Sequence, residues 1–324
     1  MRTRASKTKL PDAFEVELAT LVDAAPMGDA WLHEIKLDGY RLVARVERAG
    51  KLVQLFTRGG LDWSERVPTL REALRALPVR DAVLDGELCS LKPDGVSSFQ
   101  ALQNALSNGR ESTLVYFVFD LLWLDGEDLR PLPLLQRKAK LAALLSGHGD
   151  HLRYSDHVVG DGPAFFTHAC ALRLEGIISK RADSAYRAGR SKDWLKVKCI
   201  ARQEFVIGGY TPPSGSRTHL GALLVGVREG AQLRYAGKVG TGFSQASLRE
   251  LHGLLKPLER ERAPFVNPPK GAAVRGAKWV EPVLVAEVSF TEFTSDGLLR
   301  HPSFQGLRED KPAKAVVREQ PKKP

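Results

Sequence analysis

The sequence predicts an α+β fold in two parts, and three observations predict it: a length of 324 residues, a first 200 residues that mix β-rich with helical runs, and a last third of short β runs punctuated by glycine. At roughly 100 to 200 residues per domain the length implies two domains. Hydrophobic residues make up 43% and charged residues 27%, the proportions of a chain that buries a core.

In the first part, β-rich runs at 42–46, 83–88 and 115–122 alternate with helical stretches at 66–77, 134–145 and 164–174. That mixture predicts an antiparallel core. From Glu204 onward β runs recur at 205–210, 220–227, 233–239 and 283–290, separated by glycines such as Gly208, Gly221, Gly230 and Gly240. One helical stretch at 244–258 interrupts them, with Leu248, Leu251, Leu254 and Leu255 at helical spacing. About five strands with one helix suggest a small barrel of the OB type, a shape often used on nucleic acids. The expected divisions are a basic arm at 1–10, a first domain at 11–200, a barrel domain at 201–311 and a basic, proline-containing tail or linker at 312–324.

Composition narrows the function. No run of about 18 uncharged apolar residues is present, and the basic N-terminus leads into Pro11 and Asp12 where an export signal would need an apolar stretch. Cys89, Cys170 and Cys199 lie far apart and form no CxxC pair, so neither a disulfide framework nor a cysteine-held zinc is expected. These readings predict a soluble protein of a reducing cytoplasm, with no membrane partner. The net charge of +10 is uneven: residues 1–200 hold 29 Lys/Arg against 26 Asp/Glu, and residues 201–324 hold 19 against 12. A basic excess in the smaller part suits a polyanion, although a solubilising surface explains it equally well.

The chemistry begins at Lys36, a lone lysine in the apolar and acidic stretch Trp31-Leu-His-Glu-Ile-Lys-Leu-Asp-Gly-Tyr-Arg41. Partial desolvation and neighbouring cations would lower its pKa and free its lone pair for attack, whereas a lysine on a strand edge would be merely solvated. Other segments supply what attack on a nucleotide phosphate requires. Glu87, in Leu84-Asp-Gly-Glu87, and Glu175, in Glu175-Gly-Ile-Ile-Ser-Lys180, offer hard oxygen ligands of the kind magnesium takes. Lys196 and Lys198, two apart on a strand, would face the same way and offer positive charge. Phe119 is either core packing or a platform for a base. Arg41 and Arg58 are candidate phosphate clamps or ordinary solvated arginines. Competing signatures are missing: the nearest approach to a P-loop, Gly271 to Gly276, is followed by Ala277 instead of lysine.

Taken in order, these segments resemble the motif set of the covalent nucleotidyltransferase superfamily of DNA ligases, RNA ligases and capping guanylyltransferases. Lys36-Leu-Asp-Gly39 resembles the first motif, Thr57-Arg-Gly59 the arginine motif that follows, Asp85-Gly-Glu87 the third, and Tyr116 to Leu121 its neighbour. Glu175-Gly176 resembles the fourth, Leu195-Lys-Val-Lys198 the fifth and Arg308-Glu-Asp-Lys311 the sixth. Within the superfamily, His301 to Lys311 and Tyr186 to Lys196 look most like the ligase modules of the bacterial ligase D enzymes of non-homologous end joining.

The resemblance implies a nucleotidyltransferase (adenylation) domain of antiparallel sheets followed by an OB-fold barrel. It implies an ATP-dependent DNA ligase that forms a lysyl-AMP on Lys36. Glu34 and Phe119 would hold adenine, Glu87 and Arg41 the ribose, and Arg190, Lys196 and Lys198 the phosphate. Arg58 would serve the ribose or the incoming 5′-phosphate, and Arg308 and Lys311 the pyrophosphate. Glu87 and Glu175 would hold magnesium, or manganese in its place. Only 35 residues precede Lys36, too few for the nicotinamide-binding domain of NAD-dependent ligases, so ATP is the expected donor. Expected partners of the monomer are nicked or broken duplex DNA, a Ku-type end-binding protein, and the polymerase and phosphoesterase modules that accompany such ligases. An RNA ligase, a guanylyltransferase and a non-catalytic nucleic-acid-binding protein are the alternatives.

Overall fold

The computed structural model describes residues 10–11, 14–213, 218–271 and 274–321, so the expected N-terminal arm lies outside the described residues except for Leu10. The chain divides into two compact units, the first running to Cys199 and the second spanning Ile200–Gln320. No helix among the described residues is long and apolar enough to cross a membrane.

The first unit is built on two sheets. One consists of β1 (Glu17–Leu21), β2 (Met27–Ile35), β9 (Val158–Asp161), β10 (Gly176–Arg181) and β11 (Gly189–Lys198), in the order β1-β11-β10-β2-β9. The other consists of β3 (Tyr40–Glu47), β4 (Leu52–Thr57), β5 (Ala82–Cys89), β6 (Val115–Leu124), β7 (Glu127–Asp128) and β8 (Leu152–Tyr154). Its path is β4-β3-β5-β6-β7, with β8 beside β6. Pairing is antiparallel except for β1 with β11 and β6 with β8.

Alternation along β3 explains how the second sheet is buried on both faces. Leu42, Ala44 and Val46 face the main core, where α1 (Pro68–Arg75), α2 (Phe99–Ser107) and α3 (Leu134–Leu145) contribute Leu70, Leu74, Leu102, Leu141 and Leu145. Val43 faces the other way and joins Val83, Leu122 and Trp123 against Tyr186 and Trp194, the latter on β11 of the first sheet. These faces of the two sheets are therefore turned toward each other. The outer face of the first sheet packs on α4 (Gly162–Ala171) through Ile177, Leu195, Val197 and Ala169.

One sequence expectation is overturned here. Cys170 and Cys199 form a disulfide, S–S 2.05 Å, across a sequence separation of 29. Cys170 lies in the last turn of α4, Cys199 follows β11, and the packing of that helix on that sheet brings together thiols whose spacing gave no hint of it. Cys89 is the free, buried cysteine.

The second unit holds β12 (Ala201–Thr211), β13 (Ala222–Glu229), β14 (Gln232–Val239), α5 (Gln245–Leu255), β15 (Glu259–Arg260), β16 (Lys278–Val280), β17 (Val285–Phe290), the short pair β18 (Glu292–Phe293) and β19 (Leu299–Arg300), and β20 (Ser303–Leu307). The antiparallel path β14-β13-β12-β17-β20 is joined at its ends by one isolated bridge, Thr241 to Ser303, so the barrel is not closed by a continuous ladder. Helix α5 starts with a Ser244/Ser247 capping box and buries Leu248, Leu251 and Leu255 against Phe205, Ile207 and Val225. Residues 312–320, expected as a loose tail, are partly folded onto this unit. Val316 is fully buried, its carbonyl accepts the Arg228 amide, and the Glu319 amide donates to Gln203. An apolar valine within the basic run supplies the burial that holds the segment. Residues 322–324 lie outside the described residues.

Candidate active site

Lys36 stands one residue past the end of β2. Its backbone amide donates to the Gly176 carbonyl at 2.9 Å, continuing the register in which Ile35 faces Ile177. That register sets the Lys36 ammonium beside the carboxylate preceding β10: Lys36 Nζ lies 2.6 Å from Glu175 Oε1. Two glycines are required by close approach. A Cβ at Gly39 would come within 2.1 Å of the Leu88 carbonyl, and one at Gly176, where φ is +152°, within 2.1 Å of the Val197 carbonyl. Asp38 supports the local backbone, since its carboxylate accepts the Phe99 amide at 2.9 Å and fixes the start of α2, where Ser98 also caps.

Burial lowers the pKa of Lys36, but Glu175, and then Glu87 and Asp38, more than offset it, and the net shift is upward. The expectation of a lysine deprotonated by desolvation and nearby cations is corrected. Carboxylates surround it, so Lys36 rests as an ammonium.

Beside Lys36 lies a second, more deeply buried cluster. The Glu34 carboxylate accepts from Lys138 Nζ at 2.7 Å, Lys180 Nζ at 2.9 Å and Ser155 Oγ at 3.1 Å. Burial alone would raise the Glu34 carboxyl, yet the two ammoniums hold it below the usual range. Lys180 is pushed down, by burial first and then by Lys138, against the pull of Glu34. Its Nζ lies 4.3 Å from the Phe119 ring centre and 4.2 Å from that of Trp194, and these two rings meet edge to face at 5.9 Å. Phe119 thus belongs to an aromatic and cationic wall between the sheets.

Arg41 adds to the same wall. It grips Asp85 through Nε at 2.9 Å and Nη2 at 2.5 Å, donates to the Glu17 carbonyl, and stands 5.2 Å from Phe119 and 5.6 Å from Trp194. Tyr186 donates to Asp85 at 2.7 Å and accepts the Glu17 amide. Burial raises the Glu17 carboxyl, while Ser191 and the Arg187 amide oppose the rise. Glu87 sits opposite Arg41 in the β3–β5 register, on the same sheet face as Asp85.

The remaining expected residues are placed as follows. Lys196 and Lys198 lie two apart on β11, opposite Ile178 and Gly176. Arg190, on the same strand, is exposed and donates to the Ala19 carbonyl. Arg58 lines a cavity of about 200 Å³ with Phe14, Val16, Val43, Arg45 and Phe56. Arg308 and Lys311 belong to the second unit, where Arg308 pairs with Asp310 and Glu287, and Lys311 with Glu204. Sequence reasoning gave no role of their own to Lys138, Lys180, Asp85, Tyr186 and Trp194. A signal existed for two of them: Asp85 is two residues before Glu87 on one strand, and Lys180 ends the segment that Glu175 opens.

Residues 16–198 match the family model described as the ATP dependent DNA ligase domain, and residues 216–311 match the ATP dependent DNA ligase C terminal region. The chain is 48% identical over 322 residues to the multifunctional non-homologous end joining protein LigD of Pseudomonas aeruginosa, across 98% of this chain and 38% of that protein. It is 38% identical over 319 residues to the protein of the same name from Mycolicibacterium smegmatis, across 98% of this chain and 41% of the relative. The chain therefore spans less than half the length of these relatives. Its fold matches the structure of mycobacterial DNA ligase D complexed with ATP and MES, with a TM-score of 0.71 at 36% identity, covering 94% of this chain and 98% of that one. With the family's two regions matched on either side of Cys199, and the first of them enclosing the whole lysine and carboxylate site, the chain belongs to the ATP-dependent DNA ligases.

Proposed function

We propose that the chain seals 3′-hydroxyl/5′-phosphate breaks in duplex DNA through a lysyl-AMP on Lys36. It serves double-strand break repair by end joining in the bacterial cytoplasm, a reading drawn from the names and bacterial sources of its relatives and no longer from cysteine usage, since Cys170 and Cys199 are paired. The observation that carries the reading is the 2.6 Å contact of Lys36 Nζ with Glu175, in a site whose charge Glu87 also shapes.

In the first transfer Lys36 must lose a proton before its nitrogen can attack the α-phosphorus of ATP. Glu175 Oε1 is placed to accept that proton, and pyrophosphate leaves in line with the new N–P bond. Adenine lies on Phe119. The Glu34 carboxylate has four acceptor positions, three of them filled by Lys138, Lys180 and Ser155, so one is left for the exocyclic amine. Arg41 and Glu87 meet the ribose, Arg190, Lys196 and Lys198 the phosphate, and Arg58 the ribose or the DNA 5′-phosphate.

The donor set of Glu87 and Glu175 fits magnesium, which takes one or two carboxylates plus phosphate oxygens, and manganese has the same chemistry. Such an ion would supply positive charge to the phosphates and weaken the carboxylates' hold on the Lys36 proton. Arg308 and Lys311 serve only the first transfer, in which pyrophosphate departs. In the second transfer AMP passes to the 5′-phosphate, and in the third the 3′-hydroxyl displaces it; both rest on positioning. A Ku-type end-binding protein and polymerase and phosphoesterase activities are the expected company, since the relatives are multifunctional end-joining proteins.

The test is covalent labelling with α-labelled ATP followed by nick sealing. The wild-type chain should take up acid-labile label and seal the nick, and Lys36→Ala should do neither while melting like the wild type. Label that persists on Lys36→Ala would overturn the assignment.

A further inference from the structure

Six charged side chains of the second unit close on one another. Arg308 holds Asp310 through Nε and Nη2, each at 2.8 Å, and gives Nη1 to Glu287 at 2.7 Å. Arg202 Nε meets the other Glu287 oxygen at 2.8 Å. Lys311 Nζ stands 3.2 Å from Glu204. The β12–β17 register sets Glu204 directly opposite Glu287, so two carboxylates are cross-strand neighbours, an arrangement that needs cations to be tolerated. The acids Glu204, Glu287 and Asp310 thus meet the bases Arg202, Arg308 and Lys311.

The two cations assigned to pyrophosphate are not held alike. The Arg308 fork is locked by two carboxylates and its side chain is 11% exposed. Lys311 makes a longer, single contact to Glu204 and is 17% exposed. One is built into the unit, and the other can leave.

We infer that Glu204 is a positioning residue for the first transfer: it holds Lys311 between turnovers and yields it to the triphosphate. This rests on the reading of Lys311 as a pyrophosphate-orienting cation. A triphosphate carries several negative charges against one on Glu204, so it wins the competition once bound. When Lys311 departs, Glu204 and Glu287 are left facing each other with one cation fewer. Their repulsion draws Lys311 back after pyrophosphate leaves, which clears it from the two later transfers. Every ATP-binding event therefore works against the hold of Glu204.

The experiment is a double-mutant cycle on self-adenylation at subsaturating ATP and low salt, using Glu204→Gln, Lys311→Ala and the pair. Releasing a partly exposed pair should raise the labelling rate of Glu204→Gln by up to about fivefold through a lower KM for ATP, and the gain should shrink with salt. On the Lys311→Ala background Glu204→Gln should change nothing, and sealing of a pre-adenylated nick should match the wild type. Slower labelling by Glu204→Gln, or an equal effect with and without Lys311, would make Glu204 merely structural and overturn the inference. If Lys311→Ala alone labelled as fast as the wild type, the pyrophosphate reading itself would fall. Should Glu204→Gln melt early, Glu204→Asp, which keeps the charge but shortens its reach, takes its place with a smaller gain expected and the same dependence on Lys311.

Discussion

Replacing Glu34 by glutamine removes one negative charge and leaves two buried ammoniums without a counter-ion. Glu34, Lys138 and Lys180 have side chains 3%, 1% and 2% exposed, and both lysines reach Glu34 within 2.9 Å. Breaking a buried ion pair by removing one partner costs about 3–5 kcal/mol. At roughly 2–4 °C per kcal/mol for a domain near 200 residues, the first unit should melt about 6–20 °C lower. Lys180→Met is the comparison that tests the cause. It keeps the Lys138–Glu34 pair, fills the space between Phe119 and Trp194 with an apolar chain, and loses the cation–π contacts, at a cost of about 1–3 kcal/mol. Thermal unfolding followed by near-ultraviolet circular dichroism measures both, with the two units treated as separate transitions. A Glu34→Gln variant that melts like the wild type, or one more stable than Lys180→Met, would refute the argument that Glu34 neutralises this cluster.

Acid should act through the same residue. Glu34 and Glu287 have folded pKa values below their unfolded ones, so the stability they add is present above about pH 4.3 and is lost as pH falls through the folded values. Glu17 is raised and has the opposite sign: its charged form costs stability at neutral pH, and acid relieves that cost. The melting temperature should fall as pH drops below about 4.3, less steeply in Glu34→Gln, and an identical slope in the two proteins would contradict this. Arg308→Ala combined with Lys311→Ala should block labelling by ATP yet spare sealing of a pre-adenylated nick; loss of both activities together would place these residues in DNA binding or folding. Reducing the Cys170–Cys199 bond, which closes a loop of about 30 residues, should cost about 3–4 kcal/mol by the chain-entropy argument. A melt unchanged by reductant, or by Cys170→Ser, would count against a bond formed in solution.

How much of this was legible in the sequence depended on where each signal lay. The runs at 42–46, 83–88 and 115–122 became β3, β5 and β6, because strands buried on both faces are rich in apolar residues, broken here only by site residues such as Asp85 and Glu87 and a few others. The stretch at 134–145 coincides with α3. Helix α2 escaped notice because its start is set partly by Asp38, 61 residues from the amide it caps. Strand β2 escaped too, since its first half is exposed and broken by Gly28 and Asp29. Lys36, Glu87 and Glu175 could be picked out because each stands close to a glycine that lets backbones approach. Lys138 could not, because it meets Glu34 from 104 residues away, and for Lys180, 146 residues from Glu34, the segment that Glu175 opens marked the residue but not its partner. The raised pKa of Lys36 was equally hidden, being a property of three carboxylates on three different segments.

The disulfide also settles where mechanical load falls. A strand pulled from its end gives way one hydrogen bond at a time, starting with the outermost pair. In β11 that pair is Lys198 with Gly176, followed by Val197 with Ile177 and Lys196 with Ile178, so fraying would reach both motif lysines within three steps. Cys199 is the residue immediately beyond, the last before the second unit begins, and it is tied covalently to α4 while its amide is bonded to the Glu175 carbonyl. Part of any tension arriving along the chain from Ile200 is therefore carried by the sulfur–sulfur bond into α4, and less of it reaches the pairs that hold Lys196 and Lys198 in register.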